Sequence, residues 1–242
     1  MPVHFPRRSV LKASLAVLAL PVLHGHARQE TIGVVELFTS QGCTACPPAD
    51  ALLAELAQRD DLVTLSYHVD YWDYLGWKDE LATAGNTDRQ KAYGKALDNT
   101  VYTPQAIVNG QWNVVGSDRE RLLKKLGETS GRLHVDLNLS AAAQSLFVDV
   151  GASDEPASAH VVLVHYRPQQ MVTIRGGENR GKTIDYRNIV TDYRTLAIWN
   201  GRPLRLELPR SEFGGNSGCA VLLQDFRNGA PGPIRGAARI SL

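Results

Sequence analysis

The chain has 242 residues, of which 43% are hydrophobic, and its formal net charge is +1. This length is sufficient for one large hydrophobic core or two smaller ones, and four Trp and eight Tyr are typical of a packed protein rather than a disordered one. Binding to the phosphates of nucleic acids requires a clear excess of basic residues. The near-neutral charge therefore argues against nucleic acid as a partner.

The first residues have the pattern of an export signal. Arg7 and Arg8 precede an apolar run at residues 13–23, and small residues follow at Gly25 and Ala27. This pattern predicts a signal peptide over residues 1–27, and "PRRSVLK" favours the twin-arginine type over an ordinary secretory signal. The run is about half as long as the roughly 20 residues of a spanning helix, so an uncleaved anchor is the less favoured alternative. We expect a periplasmic or secreted protein without a membrane span after cleavage, in a compartment that permits disulfides.

Residues 28–130 alternate between strand and helix patterns. The predicted elements are a strand at 32–38, a helix from Pro47, a strand at 62–69, a helix at 88–97, a hairpin turning at Asn109–Gly110, and a helix at 118–126. Ser117 is expected to be the N-cap of the last helix, with Glu120 completing a capping box. The alternation predicts an α/β domain.

In residues 131–242 the hydrophobic pattern changes to a period of two residues. Apolar and polar residues alternate at 133–139, 146–150, 161–166, 204–208 and 220–223, and turn residues separate these stretches. The pattern predicts an antiparallel, sandwich-like β domain, with the boundary at residues 127–131.

Cys43 and Cys46 form a C-x-x-C pair between the first strand and the first helix. The positive end of a helix dipole stabilises a thiolate, so Cys43 can attack a disulfide and Cys46 can resolve the mixed disulfide. The strand–helix context makes the redox interpretation stronger than the pair alone would.

The order strand, C-x-x-C, helix, then Thr-Pro before a hairpin and a last helix resembles the thioredoxin fold. The resemblance implies that Pro104 follows a cis peptide bond and faces the cysteines, and that Thr103 pairs with the substrate backbone. It also implies a buried acid before the motif that handles protons for Cys46. Glu36 is the candidate, although its register differs by about one residue.

Four stretches resemble the DUF1223 family of secreted bacterial proteins: "VVELFTSQGCTACPPAD", "HVDYWDYLGWKD", "YTPQAIVNG" and "RGGENRGKT". They extend from about Gly33 to Trp199. The family is classed as thioredoxin-like, so this resemblance implies a fold but no particular reaction. Thr44–Ala45 between the cysteines differs from the Gly-Pro of thioredoxin, so a redox potential cannot be transferred.

Several residues near the end of the second strand are further candidates. His68 could complete a soft-metal site with Cys43 and Cys46, but a core histidine is the favoured interpretation. A closed zinc site is not favoured, because it needs a fourth ligand that the sequence does not offer nearby. Cys219 is expected to be a buried, inert thiol.

The aromatic segment after the second strand suggests a substrate-binding surface. Asp70, Tyr71 and Trp72 are its candidates, and Tyr74 and Trp77 continue it; packing between the two halves is an equally open alternative. "GGENRGKT" matches a phosphate-binding pattern, but a β-rich segment follows where a helix is needed. We interpret it as a mobile loop that reaches another surface.

Three functions remain. The favoured one is a thiol–disulfide oxidoreductase without a cofactor, acting on a protein thiol or disulfide. The others are a copper carrier that uses Cys43, Cys46 and His68, and an interaction module in which the disulfide is only structural. A disulfide across so short a loop gives little entropic stabilisation, which weakens the third.

Overall fold

A computed structural model of the chain describes residue 1 and residues 31–129, 133–154, 158–213 and 217–241. The expected signal peptide at 1–27 therefore lies almost wholly outside the described residues. Within them, no helix is long and apolar enough to cross a membrane.

The described residues form a mixed α/β structure with three α-helices and eleven strands. The helices are α1 (Pro47–Leu56), α2 (Ala84–Ala96) and α3 (Arg119–Glu128). The strands are β1 (Gly33–Thr39), β2 (Leu62–His68), β3 (Gln105–Val108), β4 (Trp112–Val115), β5 (Leu137–Ala141), β6 (Ser145–Val150), β7 (Ala159–Thr173), β8 (Thr183–Trp199), β9 (Leu204–Pro209), β10 (Gly218–Arg227) and β11 (Ala230–Ser241).

Eight strands form one sheet in the order β11-β10-β7-β8-β2-β1-β3-β4. β1 and β2 are parallel, β3 and β4 continue antiparallel, and β8 joins the edge of β2 through a short parallel bridge at Ser66 and Ile189. The sheet thus continues across the expected boundary at 127–131, and a division into separate domains there stays a prediction.

Apolar side chains on both faces of the large sheet hold the layers together. On one face, Val34 and Phe38 of β1 pack with Tyr93 of α2 and with residues of β7 and β10. On the other face, Val35 and Leu37 pack against α1 and α3. The same sheet also packs against the three-stranded sheet β5-β6-β9, around Trp199. Each β1 side chain therefore faces either α2 or α1, because successive residues of a strand point to opposite faces.

Two helix starts differ from the prediction. α3 is capped by Asp118, whose side chain accepts from Arg121 N at 3.0 Å, so the expected cap at Ser117 is wrong by one residue. α2 begins at Ala84, earlier than expected, because Thr83 Oγ1 accepts from Asn86 N at 3.1 Å and caps the helix there.

Candidate functional site

The cysteine pair lies between the end of β1 and the first turn of α1. Cys43 and Cys46 form a disulfide, and their exposed fractions are only 2% and 0%. Cys46 has helical dihedral angles, and its carbonyl accepts from Ala49 N and Asp50 N. Between the two cysteines, Thr44 and Ala45 are exposed. The disulfide therefore lies at the amino end of α1, where the helix dipole favours negative charge on sulfur.

A buried acid lies one helical turn beyond Cys46. Residues four apart on a helix share a face, so the side chains of Cys46 and Asp50 lie on the same side of α1. Thr39 Oγ1 donates to Asp50 Oδ1 at 2.7 Å. Burial raises the pKa of Asp50 to about 7, and His68 and the hydrogen bond from Thr39 offset only part of this. Asp50 therefore holds its proton well into the physiological range.

His68 and Asp79 form a second polar group on this side of the sheet. His68 Nδ1 and Asp79 Oδ2 are 2.7 Å apart, with both side chains at 0% exposure. Burial raises the pKa of Asp79, but the interactions with His68 and with the backbone N–H groups of Gln41 and Leu81 outweigh it and leave this pKa below its usual value.

Several buried polar atoms here have no hydrogen-bond partner among the described residues: Asp50 Oδ2, His68 Nε2, Ser66 Oγ and Tyr186 Oη. The rings of His68 and Tyr186 meet edge to face, 4.6 Å apart. Burial and then the negative charges of Asp50 and Asp79 raise the pKa of Tyr186. An unpaired buried polar atom costs about 1–3 kcal/mol, so this concentration of them makes the cluster a candidate functional site.

Glu36, the acid expected from the resemblance, lies on the other face of β1. It faces α2, where Arg89 Nε donates to its Oε1 at 2.7 Å and the hydroxyl of Tyr93 donates to its Oε2. Arg89 also donates to Gln224 of β10. The pleat of β1 thus directs Glu36 away from α1 and the cysteines, into a buried ion pair that joins the two halves of the chain.

The Thr103–Pro104 peptide bond is cis, as the resemblance implies. Thr103 Oγ1 accepts from Trp72 Nε1 at 2.9 Å. Trp72 also contacts the cysteine loop, because a Cβ added at Gly42 would lie 3.0 Å from Trp72 Cβ. Trp72 therefore connects the Thr103–Pro104 turn with the cysteine loop.

The neighbours of Trp72 contact α2 instead. Asp70 Oδ1 accepts from Thr87 Oγ1 at 2.6 Å, and Tyr71 Oη donates to Gln90 Oε1 at 3.2 Å. Tyr74 is 80% exposed. Of the three predicted substrate-binding residues, Trp72 is the one that these contacts bring to the cysteine loop.

The "GGENRGKT" segment reaches the cysteines from the second half of the chain. Asn179 Nδ2 donates to Gln41 O at 2.9 Å and to Cys43 O at 2.8 Å. The segment connects β7 to β8, so a strand follows it and the helix that phosphate binding needs is absent at that point. The contacts agree with the expected loop that reaches another surface, and the expected mobility of this loop stays a prediction.

The remaining sequence candidates lie outside this arrangement. Among the described residues, no group of three or more His, Cys, Asp or Glu side chains is placed to hold a metal ion, so the geometry adds no support for the copper carrier. Cys219 is buried in the second half, and burial raises the pKa of its thiol to about 12. A cavity of about 940 Å³ lies between α2 and the β10–β11 hairpin, and its lining includes Lys91, Trp112 and Arg227 but no residue of the cysteine loop.

Sequence reasoning missed Asp50, Asp79, Tyr186 and Asn179. For Asp50 a signal was present, because an acid four residues after Cys46 must share its helix face. Asp79, Tyr186 and Asn179 come from distant segments, and only the folded chain brings them to the cysteines.

A family model matches residues 34–224, and its description is "Protein of unknown function (DUF1223)". The chain is also similar to a protein of known crystal structure, AGR_C_4864 from Agrobacterium tumefaciens, with 41% sequence identity and a TM-score of 0.80. That match covers 89% of this chain and 96% of the other. The search of curated proteins gave no match. The family match covers well over half of the sequence, and the chain belongs to the DUF1223 family.

Proposed function

We propose that this protein is a thiol–disulfide oxidoreductase that acts outside the cytoplasm on a protein partner, through Cys43 and Cys46. The observation that carries the proposal is the disulfide at the amino end of α1, one turn from the buried acid Asp50. A disulfide that serves only as a staple needs no buried, protonated acid one helical turn away on the same helix face. The location rests on the export signal expected at residues 1–27.

We further propose that the first half of the chain is thioredoxin-like. Its element order, β1-α1-β2-α2-β3-β4-α3, agrees with the order expected from the resemblance. Parallel β1 and β2, the antiparallel β3–β4 hairpin and the cis peptide bond before Pro104 support the same assignment.

The reaction divides the work between the two cysteines. A partner thiolate attacks Cys43 Sγ and forms a mixed disulfide, and the electron pair of the broken Cys43–Cys46 bond remains on Cys46 Sγ. A second partner thiolate then attacks the partner sulfur of the mixed disulfide and releases Cys43. The reverse sequence, with Cys43 as nucleophile and Cys46 as resolving thiol, oxidises the dithiol.

Asp50 takes the role of proton donor to Cys46 that the resemblance assigned to Glu36. A thiolate at Cys46 is costly because this residue is completely buried. Asp50 keeps its proton until about pH 7 and shares the helix face of Cys46, so it can neutralise the leaving sulfur. His68, held by Asp79, is placed to stabilise the resulting carboxylate.

The test is thiol trapping of the mature protein across a glutathione redox series, read by intact mass in a Cys219→Ser background. Redox-active pairs have midpoints between about −270 and −120 mV, whereas structural disulfides lie below about −300 mV. We expect a midpoint inside the active range and no exchange in the Cys43→Ser variant. A pair that stays oxidised throughout the series would overturn the proposal in favour of the interaction module.

A further inference from the structure

The loop of residues 175–182, here called the cover loop, closes over the cysteine loop. Asn179 is 1% exposed, and its amide donates to the carbonyls of both Gln41 and Cys43. Its own oxygen accepts from Lys182 Nζ at 2.8 Å, which fixes the orientation of the amide. The cover loop thus makes directed hydrogen bonds to the backbone of the C-x-x-C motif.

Close packing next to Asn179 also fixes the cover loop. A Cβ added at Gly176 would lie 2.8 Å from Gly76 O, and one at Gly177 would lie 3.2 Å from Trp77 Cβ. Trp77 in turn donates through Nε1 to Gln41 Oε1 at 2.7 Å. The cover loop and the cysteine loop are therefore fitted to each other through both backbone and side-chain contacts.

The disulfide beside the cover loop is buried. An incoming sulfur must reach Cys43 Sγ from the side opposite Cys46, but Cys43 is only 2% exposed. Access to Cys43 Sγ requires the segments around it to move, and a shift of Cys43 relative to the cover loop breaks the hydrogen bonds from Asn179. Gln41 O then loses the donor Asn179, and Cys43 O retains only its weaker bond from Cys46 N at 3.2 Å.

We propose that Asn179 sets the specificity of the exchange, so that a polypeptide thiol is preferred over a small thiol without N–H groups. A polypeptide that reaches Cys43 covers the carbonyls of Gln41 and Cys43 again and offers backbone N–H groups in place of the Asn179 amide. A small thiol offers no such donor, and the cost of displacing Asn179 is not offset. This inference rests on the proposed function and names its partner class, an extended polypeptide segment.

The chemical step is the exchange described above. The polypeptide sulfur bonds to Cys43 Sγ, the bond between Cys43 and Cys46 breaks, and its electron pair stays on Cys46 Sγ. The proton of Asp50 then passes to Cys46. Displacement of Asn179 precedes this step and changes neither the electron nor the proton balance.

The experiment compares two reductants of the purified mature protein. One is dithiothreitol, which has no N–H group, and the other is a blocked peptide of about ten residues with two cysteines. Rates of disulfide loss are measured by acid quenching and mass spectrometry and are expressed per thiolate. We expect the wild type to prefer the peptide, and Asn179→Ala to reduce this preference about tenfold, mainly by accelerating the reaction with dithiothreitol.

Two further variants make the test specific. Arg180→Ala alters an exposed residue of the same loop and should leave the preference unchanged. Asn179→Leu keeps about the size of the side chain and removes both donated hydrogen bonds without adding a charge, so it should reproduce the effect even if Asn179→Ala folds poorly.

The failure of this inference can be told from failure of the proposed function. If the wild type exchanges with both reductants and Asn179→Leu leaves their rate ratio unchanged, Asn179 does not set specificity, and this inference is wrong. If neither reductant reacts with the wild type and its disulfide also stays oxidised in the glutathione series, the proposed function is wrong.

Discussion

His68 Nδ1 lies 2.7 Å from Asp79 Oδ2, and this pair connects the carboxyl end of β2 to the cysteine loop. The connection exists because the same Oδ2 atom accepts from Gln41 N at 2.9 Å. Gln41 lies two residues before Cys43, so the position of the motif depends on a carboxylate that comes after β2. Ligands of α/β sheets bind at the carboxyl ends of the strands, and the cluster around Cys46 lies at this end.

The buried carboxyl of Asp50 should make stability depend on pH. The pKa of an unperturbed Asp side chain, as in the unfolded chain, is 3.8, and the pKa of Asp50 in the folded protein is about 7. Between these values the unfolded chain loses this proton while the folded chain keeps it, so the free energy of unfolding should fall as pH rises from about 4 to 7. The contribution is limited to about 4 kcal/mol, since each pKa unit corresponds to about 1.4 kcal/mol.

Urea denaturation of the wild type and Asp50→Asn across this pH range measures the effect. The groups that face Asp50 are His68, Asp79 and Tyr186, and all of them are retained in Asp50→Asn. The difference between the two proteins should therefore decline with rising pH, whereas Asp88→Asn, at an exposed site on α2, should not reproduce it. Parallel stability curves for the wild type and Asp50→Asn would contradict the assignment.

Glu36 and Arg89 should contribute to the stability of the fold and not to thiol–disulfide exchange. Arg89→Met leaves the carboxylate of Glu36 buried without its cation, and we expect a loss of about 3–5 kcal/mol in the free energy of unfolding. The double variant Glu36→Leu, Arg89→Met should recover most of this loss, because it leaves no uncompensated charge. Double-mutant cycles by urea denaturation measure both quantities.

A comparison of Glu36→Gln with Asp50→Asn identifies which of these two acids is the proton donor. Glu36→Gln keeps the size of the side chain, and the site faces α2 rather than α1, so the midpoint of the Cys43–Cys46 couple and its dependence on pH should not change. A changed pH dependence in Glu36→Gln, with none in Asp50→Asn, would return the proton role to Glu36.

The first half of the fold was predictable because its elements carry local signals. Proline is favoured in the first turn of a helix, and α1 begins at Pro47 as predicted. Asn109 and Gly110, both with positive φ, form the predicted turn between β3 and β4. β11 was missed because its first part lies in "NGAPGP", a segment that contains Pro231 and Pro233 and has the composition of a turn. These prolines are tolerated there because β11 lies at the edge of the sheet, where a missing backbone N–H need not break a ladder.

The candidate site was predictable only where its residues belong to motifs that can be recognised locally. Cys43, Cys46, Thr103 and Pro104 carry recognisable motifs. Asn179 is 136 residues from Cys43, and no local pattern indicates that its amide donates to the cysteine loop. The role of Glu36 depended on the pleat of β1, and a shift of one residue exchanges the α1 face for the α2 face.

Trp72 should contribute to the reaction with polypeptide partners. Its indole N–H holds Thr103, the residue expected to pair with the substrate backbone, and Trp72→Phe removes this hydrogen bond while keeping an aromatic ring. We expect a loss of stability of about 1 kcal/mol and a peptide exchange rate lower by about fivefold, since one lost hydrogen bond has this magnitude.

The matched control for this variant is Tyr74→Phe, because Tyr74 belongs to the same aromatic segment but is 80% exposed. Stopped-flow exchange with the blocked peptide should be slowed by Trp72→Phe and not by Tyr74→Phe. Equal rates in both variants would indicate that Trp72 only packs the two loops together. A slower rate in Trp72→Phe alone would assign the effect to the contacts of Trp72, which are its hydrogen bond to Thr103 and its packing against Gly42, because the substitution leaves both cysteines and Asp50 unchanged.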